Sequence, residues 1–160
     1  MPYKMAKLCL VCSGGGHTYE MKKLSGVYST HPHFFITHDG PHIGELSGGK
    51  TYVVINPQRL PGLYNPFRLL SASLRSLLII LSESPDIILS TGAGIAVPAC
   101  YIGKILGKKI IFLASGACVE RLNLSSKLIY PIADLFIIQY LDLSKKYPKS
   151  KFAGNLYDFC

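Results

Sequence analysis

Three short stretches hold the residue types that chemistry needs. They are Ser13-Gly14-Gly15-Gly16-His17, Ser90-Thr91-Gly92-Ala93-Gly94 and Ala114-Ser115-Gly116. Each follows an apolar run of strand type, the layout of a strand-to-helix turn. Glycine lets the backbone approach a ligand closely, and the N–H groups opening the next helix favour an anion such as phosphate. The plain alternative is that such turns use glycine for tight geometry alone. Three of them in a chain of net charge +8 point to an anionic ligand. The residues expected to line it are Ser13, Gly14, Gly15, Gly16, Thr91, Gly92, Gly94 and Ser115.

His17 follows the glycine run and opens the next helix. There it suits a general base on a sugar hydroxyl or a donor to a phosphate; an ordinary polar residue in the first turn is the bland alternative. Glu20, one turn on, faces a similar direction and either orients His17 or caps the helix. The first turn departs from G-x-G-x-x-G, because Tyr19 stands where the third glycine belongs. Asp39, just past the second strand, keeps a nucleotide-binding reading open. His31, His33, His38 and His42 lack ligand-type spacing, so no metal site is expected.

The elements that must position these residues alternate strand and helix. Strands are predicted at Lys7–Cys12, Phe34–Thr37, Tyr52–Ile55, Asp86–Ser90, Ile110–Leu113 and Leu135–Gln139, with a short edge strand at Phe152–Ala153. Helices are predicted at Thr18–Tyr28, Pro66–Ser82, Gly94–Leu106 and Ser125–Pro131, with a final turn or two at Leu141–Tyr147. Asn65 is the expected N-cap before Pro66, and Pro57 to Pro66 reads as a loop. Strands that are apolar throughout are buried on both faces, which means a parallel sheet with helices on either side. The fold class is α/β: one Rossmann-like three-layer domain over residues 1–160. In such a sheet all three turns lie at the carboxyl edge, where ligands bind.

Only 16% of the residues are charged, well under the usual quarter, and mean hydropathy is +0.29. Apolar surface is therefore expected outside the core. The basic excess suits a membrane or a phosphate. It does not suit a nucleic acid, since no arginine-rich stripe with interleaved aromatics and no zinc-finger spacing occurs. No signal peptide and no run of about 18 apolar residues is apparent. Five cysteines without framework spacing read as reduced thiols, with Cys9 and Cys12 on opposite faces of a strand, and imply a cytosolic setting.

The Pro66 helix carries an apolar stripe of Phe67, Leu70, Leu74, Leu77, Leu78 and Leu81. Arg68, Ser71 and Arg75 leave only a thin polar strip. One reading lays this helix in a membrane interface through Phe67, Arg68, Leu70, Leu74 and Arg75, arginines toward lipid phosphates. The other buries it against the sheet.

The turn Cys12–Glu20 (CSGGGHTYE), the segment Pro85–Pro98 (PDIILSTGAGIAVP), and Lys127–Gln139 (KLIYPIADLFIIQ) followed by Tyr147-Pro148 come in a familiar order. Together they resemble the membrane-anchoring subunit family of the bipartite GlcNAc transferase that makes the dolichol-linked chitobiose core. Bacterial and archaeal relatives serve capsule and exopolysaccharide synthesis. The resemblance implies the N-terminal, acceptor-side lobe of a GT-B glycosyltransferase, acting on a polyprenyl-pyrophosphate-linked sugar at the cytoplasmic face of a membrane, peripherally attached. It implies a partner chain that binds the UDP-sugar donor, so no cofactor is expected on this chain. Relatives carry a Glu-Ser pair and then an arginine after the Ile110–Leu113 strand, where this chain has Ala114, Ser115 and Cys118. Glu120 or Arg121 is the nearest substitute. The apolar tail Leu156, Tyr157 and Phe159 is expected to dock on the partner. Two other readings stay open: a non-catalytic membrane scaffold for that partner, and a free-standing nucleotide-binding Rossmann enzyme.

Overall fold

The structure is a computed structural model describing residues 5–60 and 63–157. Phe159 lies outside the described residues. The strands are β1 (Leu8–Val11), β2 (His33–Thr37), β3 (Lys50–Val53), β4 (Gln58–Leu60), β5 (Leu63–Tyr64), β6 (Ile87–Ser90), β7 (Lys109–Leu113), β8 (Leu135–Ile138) and β9 (Ser150–Phe152). The helices are α1 (Gly16–Lys23), α2 (Ser25–Tyr28), α3 (Pro66–Glu83), α4 (Ala96–Ile105), α5 (Leu124–Ile129) and α6 (Leu143–Lys146).

Seven strands form one sheet in the order β3-β2-β1-β6-β7-β8-β9. Every pairing in it is parallel. Because successive side chains of a strand point to opposite faces, the sheet buries two layers of apolar residues. One face sets Cys9, Val11, Phe34, Ile36, Ile88, Ile110, Phe112 and Phe136 against Ile79 and Ile80 of α3 and Ala96, Ala99 and Cys100 of α4. The other sets Leu8, Leu10, Cys12, Phe35 and Leu89 against Met21 of α1 and Tyr28 of α2. Cys9 and Cys12 thus do lie on opposite faces. Burial pushes the Cys9 thiol well up and the Cys12 and Cys100 thiols up to about 12, so all three stay protonated and inert.

Most strand predictions hold within two residues, and the loop at Pro57–Pro66 proves to hold the small β4–β5 hairpin. The helix expected over Thr18–Tyr28 is broken at Leu24 into α1 and α2. It also starts earlier, at Gly16, which places His17 in its first turn. Asn65 caps α3 as the sequence indicates, its Oδ1 accepting from the Arg68 N–H at 3.1 Å. An acidic residue at a helix C-terminus opposes the helix dipole. Glu83 sits there in α3, and Lys7 at 2.6 Å, Lys50 at 3.6 Å and the Tyr52 hydroxyl offset the charge.

Only one side of α3 is buried, through Ala72, Ser76, Ile79 and Ile80. The helix therefore covers the sheet with its inner face, as the second reading had it, but it is not buried all round. Its outer face exposes Phe67 by 82%, Leu70 by 59%, Leu74 by 55% and Leu78 by 67%, with Arg68 and Arg75 also exposed. No helix among the described residues is long and apolar enough to cross a membrane.

Candidate active site

Strand order reverses between β1 and β6, so their carboxyl ends splay into the crevice where open α/β sheets bind ligands. The Ser13–His17 turn leaves β1 and the Thr91–Gly94 turn leaves β6. Two hydrogen bonds tie the turns together. His17 Nδ1 lies 2.8 Å from the Thr91 carbonyl, and the Thr91 hydroxyl donates to the His17 carbonyl at 2.8 Å. A carbonyl oxygen only accepts, so Nδ1 carries the proton. In the neutral ring Nε2 is then left with a free lone pair, the form a general base requires. The His17 side chain is 21% exposed, enough for contact with a ligand.

Glu20 does not cap the helix, one of the two roles open to it in the sequence; it is fully buried. Its Oε1 accepts from the Gly116 N–H at 2.6 Å, Gln139 Nε2 at 3.1 Å, the Ser115 hydroxyl at 3.3 Å and the Tyr157 hydroxyl at 3.4 Å. Oε2 has no hydrogen-bond partner among the described residues and lies 3.7 Å from His17 Nδ1. A carboxylate so enclosed cannot touch a ligand directly. It holds the third turn in place and faces the side of His17 that turns positive when Nε2 takes a proton.

Gln139 escaped the sequence reading. It is buried, its amide N–H also donates to the Ala114 carbonyl at 3.0 Å, and its Oε1 accepts the Leu156 N–H at 3.0 Å. A lone polar residue ending an apolar strand was the available signal. Tyr157 stacks on Tyr19 with ring centroids 5.5 Å apart. Burial, and then the Glu20 carboxylate, push its hydroxyl up. The described tail therefore folds onto its own lobe.

The glycines serve internal packing more than expected. A Cβ on Gly14 would meet His42 Nδ1 at 2.8 Å, on Gly92 the His17 ring at 3.1 Å, and on Gly94 the Gln58 side chain at 2.6 Å. At Gly116 a Cβ would collide with Tyr157. Gly15 and Gly16 are exposed, and Gly15 needs its positive φ of 73° to start α1. Ala93 also has a positive φ of 71°, a strained conformation for a residue with a Cβ. Ser13 and Ser115 are buried, and the Ser13 carbonyl accepts from the Thr18 hydroxyl at 2.7 Å. Thr91 is fully buried.

Ala114 and Cys118 are packed into the core. Glu120 and Arg121 are exposed. His42 is buried, bonded to the Thr37 hydroxyl at 2.7 Å, and held below the usual histidine range by burial and by His38. No group of three His, Cys, Asp or Glu among the described residues is placed to hold a metal.

MurG from Acinetobacter baumannii shares this fold with a TM-score of 0.71 at 13% identity, covering 86% of this chain and 42% of that one. The UDP-N-acetylglucosamine 2-epimerase of Rickettsia bellii does so with a TM-score of 0.74 at 12% identity, covering 98% and 46%. The chain thus spans less than half of either protein and has the Rossmann-like α/β lobe architecture of GT-B glycosyltransferases and these epimerases. Residues 61–156 match the family described as oligosaccharide biosynthesis protein Alg14 like, and the chain belongs to that family. The rat UDP-N-acetylglucosamine transferase subunit ALG14 is 30% identical over 97% of this chain and 85% of its own length. The mouse protein of the same name is 29% identical with the same coverage.

Proposed function

We propose that this member of a glycosyltransferase-subunit family is the acceptor-binding, membrane-recruiting half of a two-chain enzyme. It takes a polyprenyl-pyrophosphate-linked sugar, and a partner chain carries the UDP-sugar donor. The observation that carries the acceptor reading is His17. Its Nδ1–H is committed to Thr91 across the strand-order reversal, which leaves the Nε2 lone pair uncommitted on a partly exposed ring. In the reaction Nε2 accepts the proton of an acceptor hydroxyl as that oxygen bonds to the anomeric carbon of the donor and UDP leaves. Thr91 and Glu20 hold the imidazolium that results.

Two lengths support the split. The chain spans 42% of MurG, a single lobe, yet 85% of the rat transferase subunit. Relatives named as subunits are thus themselves of about one-lobe length. The exposed apolar face of α3, with Arg68 and Arg75 beside it, has the form of a helix lying on an anionic bilayer. The test is glycosyl transfer to a polyprenyl-pyrophosphate sugar by this chain, by its partner and by the mixture. Transfer by the mixture alone is expected. Full transfer by the partner alone, unchanged on mixing, would reduce this chain to a scaffold or less.

A further inference from the structure

At Gly14, Gly92, Gly94 and Gly116 the chain's own side chains fill the space beside the glycine, which leaves Gly15 and Gly16 as the open part of the turns. A cleft of about 370 Å³ lies at the carboxyl ends of β2 and β3, under α3. His38, Asp39, Asn56, Arg68 and Arg75 supply its polar lining, and Val53 to Ile55 its floor. Arg68 and Arg75 are seven residues apart on α3, so they share a face about 10.5 Å apart along the axis. Neither guanidinium has a hydrogen-bond or ion-pair partner among the described residues. Among the described residues Asp39 is the one carboxylate in the lining, so with two arginines the cleft keeps a net positive charge. His38 Nδ1 donates to the Asp39 carbonyl at 2.8 Å, which leaves its Nε2 open.

Arg75 also borders a second, apolar groove of about 850 Å³ lined by Phe67, Leu70, Leu74 and Leu78. Both volumes suit ligand sites. A basic cleft meeting an apolar groove at one arginine complements a phosphate that carries a long apolar chain. On its other side the cleft approaches the first glycine turn. The His38 and His42 rings are 4.8 Å apart, and His42 in turn packs on Gly14. Neighbouring strands are about 4.8 Å apart, so the cleft stands one to two strand spacings from the turn that bears His17.

We propose that this cleft, rather than the glycine turns, holds the phosphate of the lipid-linked acceptor. Its first isoprenoid units lie in the α3 groove and its sugar reaches toward His17. Guanidinium forks bind phosphate oxygens in pairs, which lysine does not match. The proposal rests on the acceptor-side reading above, and its test separates the two.

The probe is geranyl pyrophosphate, titrated into the full chain and followed by amide NMR and calorimetry. The expected result is that signals of residues 38–39 and 53–56 move. Arg68→Gln and Arg75→Gln should each weaken binding by about 10- to 100-fold. Both arginines are exposed, so unchanged melting temperatures will show that the variants fold. Inorganic pyrophosphate alone should bind more weakly, and Leu74→Ser should remove that difference. Movement confined to residues 14–16 and 92–94, with the arginine variants binding normally, returns the phosphate to the glycine turns and overturns the proposal alone. No movement at either place sinks the acceptor reading itself. Equal affinity for UDP or free pyrophosphate makes the cleft a general anion site. An arginine effect seen only on adsorption to phosphatidylglycerol vesicles makes it a bulk headgroup site. Either of these outcomes also overturns the proposal.

Discussion

At the residue scale the site turns on two side chains with different duties. His17 keeps Nε2 uncommitted on a ring that is 21% exposed, and Glu20 is buried beside it. Removing a positioned general base typically costs about 10²–10⁴ in turnover. His17→Ala in the reconstituted pair is therefore expected to lower kcat in that range while folding normally; near-normal turnover would leave His17 a positioning role at most. Glu20 is a matter of stability first. Its Oε1 gathers donors from Ser115, Gly116, Gln139 and Tyr157, and bonds to a charged acceptor are the stronger kind. Glu20→Gln removes the charge and sets an amide donor toward the His17 N–H. A loss of about 1–3 kcal/mol by chemical denaturation is expected. A neutral result would mean that the four hydrogen bonds at Oε1 do not depend on the charge.

At the element scale α3 is fixed at both ends and exposed between them. The Asn65 cap starts it, and Glu83 pins its end to Lys7 at the head of β1 and to Tyr52 of β3. The hydrogen bond from Lys7, and then that from Tyr52, hold the Glu83 carboxyl down to about 2 from an ordinary 4.5. A carboxylate whose folded value is depressed contributes stability above its unfolded value and loses it as pH falls toward the folded one. Stability from this clamp is thus fully present above about pH 4.5 and is lost between there and about pH 2. The amount is at most about 3 kcal/mol. Unfolding free energy measured against pH should fall through that window, and Glu83→Gln should flatten the fall. An unchanged slope in the variant would assign the acid limb to other carboxylates.

At the scale of the whole molecule, the tail closes the site from below. Leu156 bonds to Gln139, and Tyr157 reaches Glu20 and stacks on Tyr19. The tail residues Leu156, Tyr157 and Phe159 are also our candidate contacts for the partner. Ending the chain after Asn155 should cost about 1–3 kcal/mol through the lost hydrogen bonds and ring stack. For a chain of this size that lowers the melting temperature by about 2–4 °C per kcal/mol. Affinity for the partner, measured by calorimetry, is expected to fall as well. Loss of stability with undiminished affinity would confine the tail to the intramolecular role.

The sequence by itself determined the α/β class, the parallel sheet, the Asn65 cap and the presence of three small-residue turns at one edge. These follow from local pattern: continuously apolar strands, a capping side chain before proline, glycine where strand gives way to helix. It also showed that α3 had more apolar surface than one buried face requires. The strand order that puts β6 beside β1 was decided only by the tertiary structure, and with it the bond between His17 and Thr91, 74 residues apart. The same holds for Glu20 and Gln139, 119 residues apart, and for Tyr157 over Gly116. Periodicity reports which side of an element is buried but not which element buries it. A glycine in the sequence likewise does not say whether a ligand or a neighbouring side chain fills the space beside it. Here His42, His17, Gln58 and Tyr157 fill that space at Gly14, Gly92, Gly94 and Gly116, and the open basic cleft lies at the ends of β2 and β3, under α3.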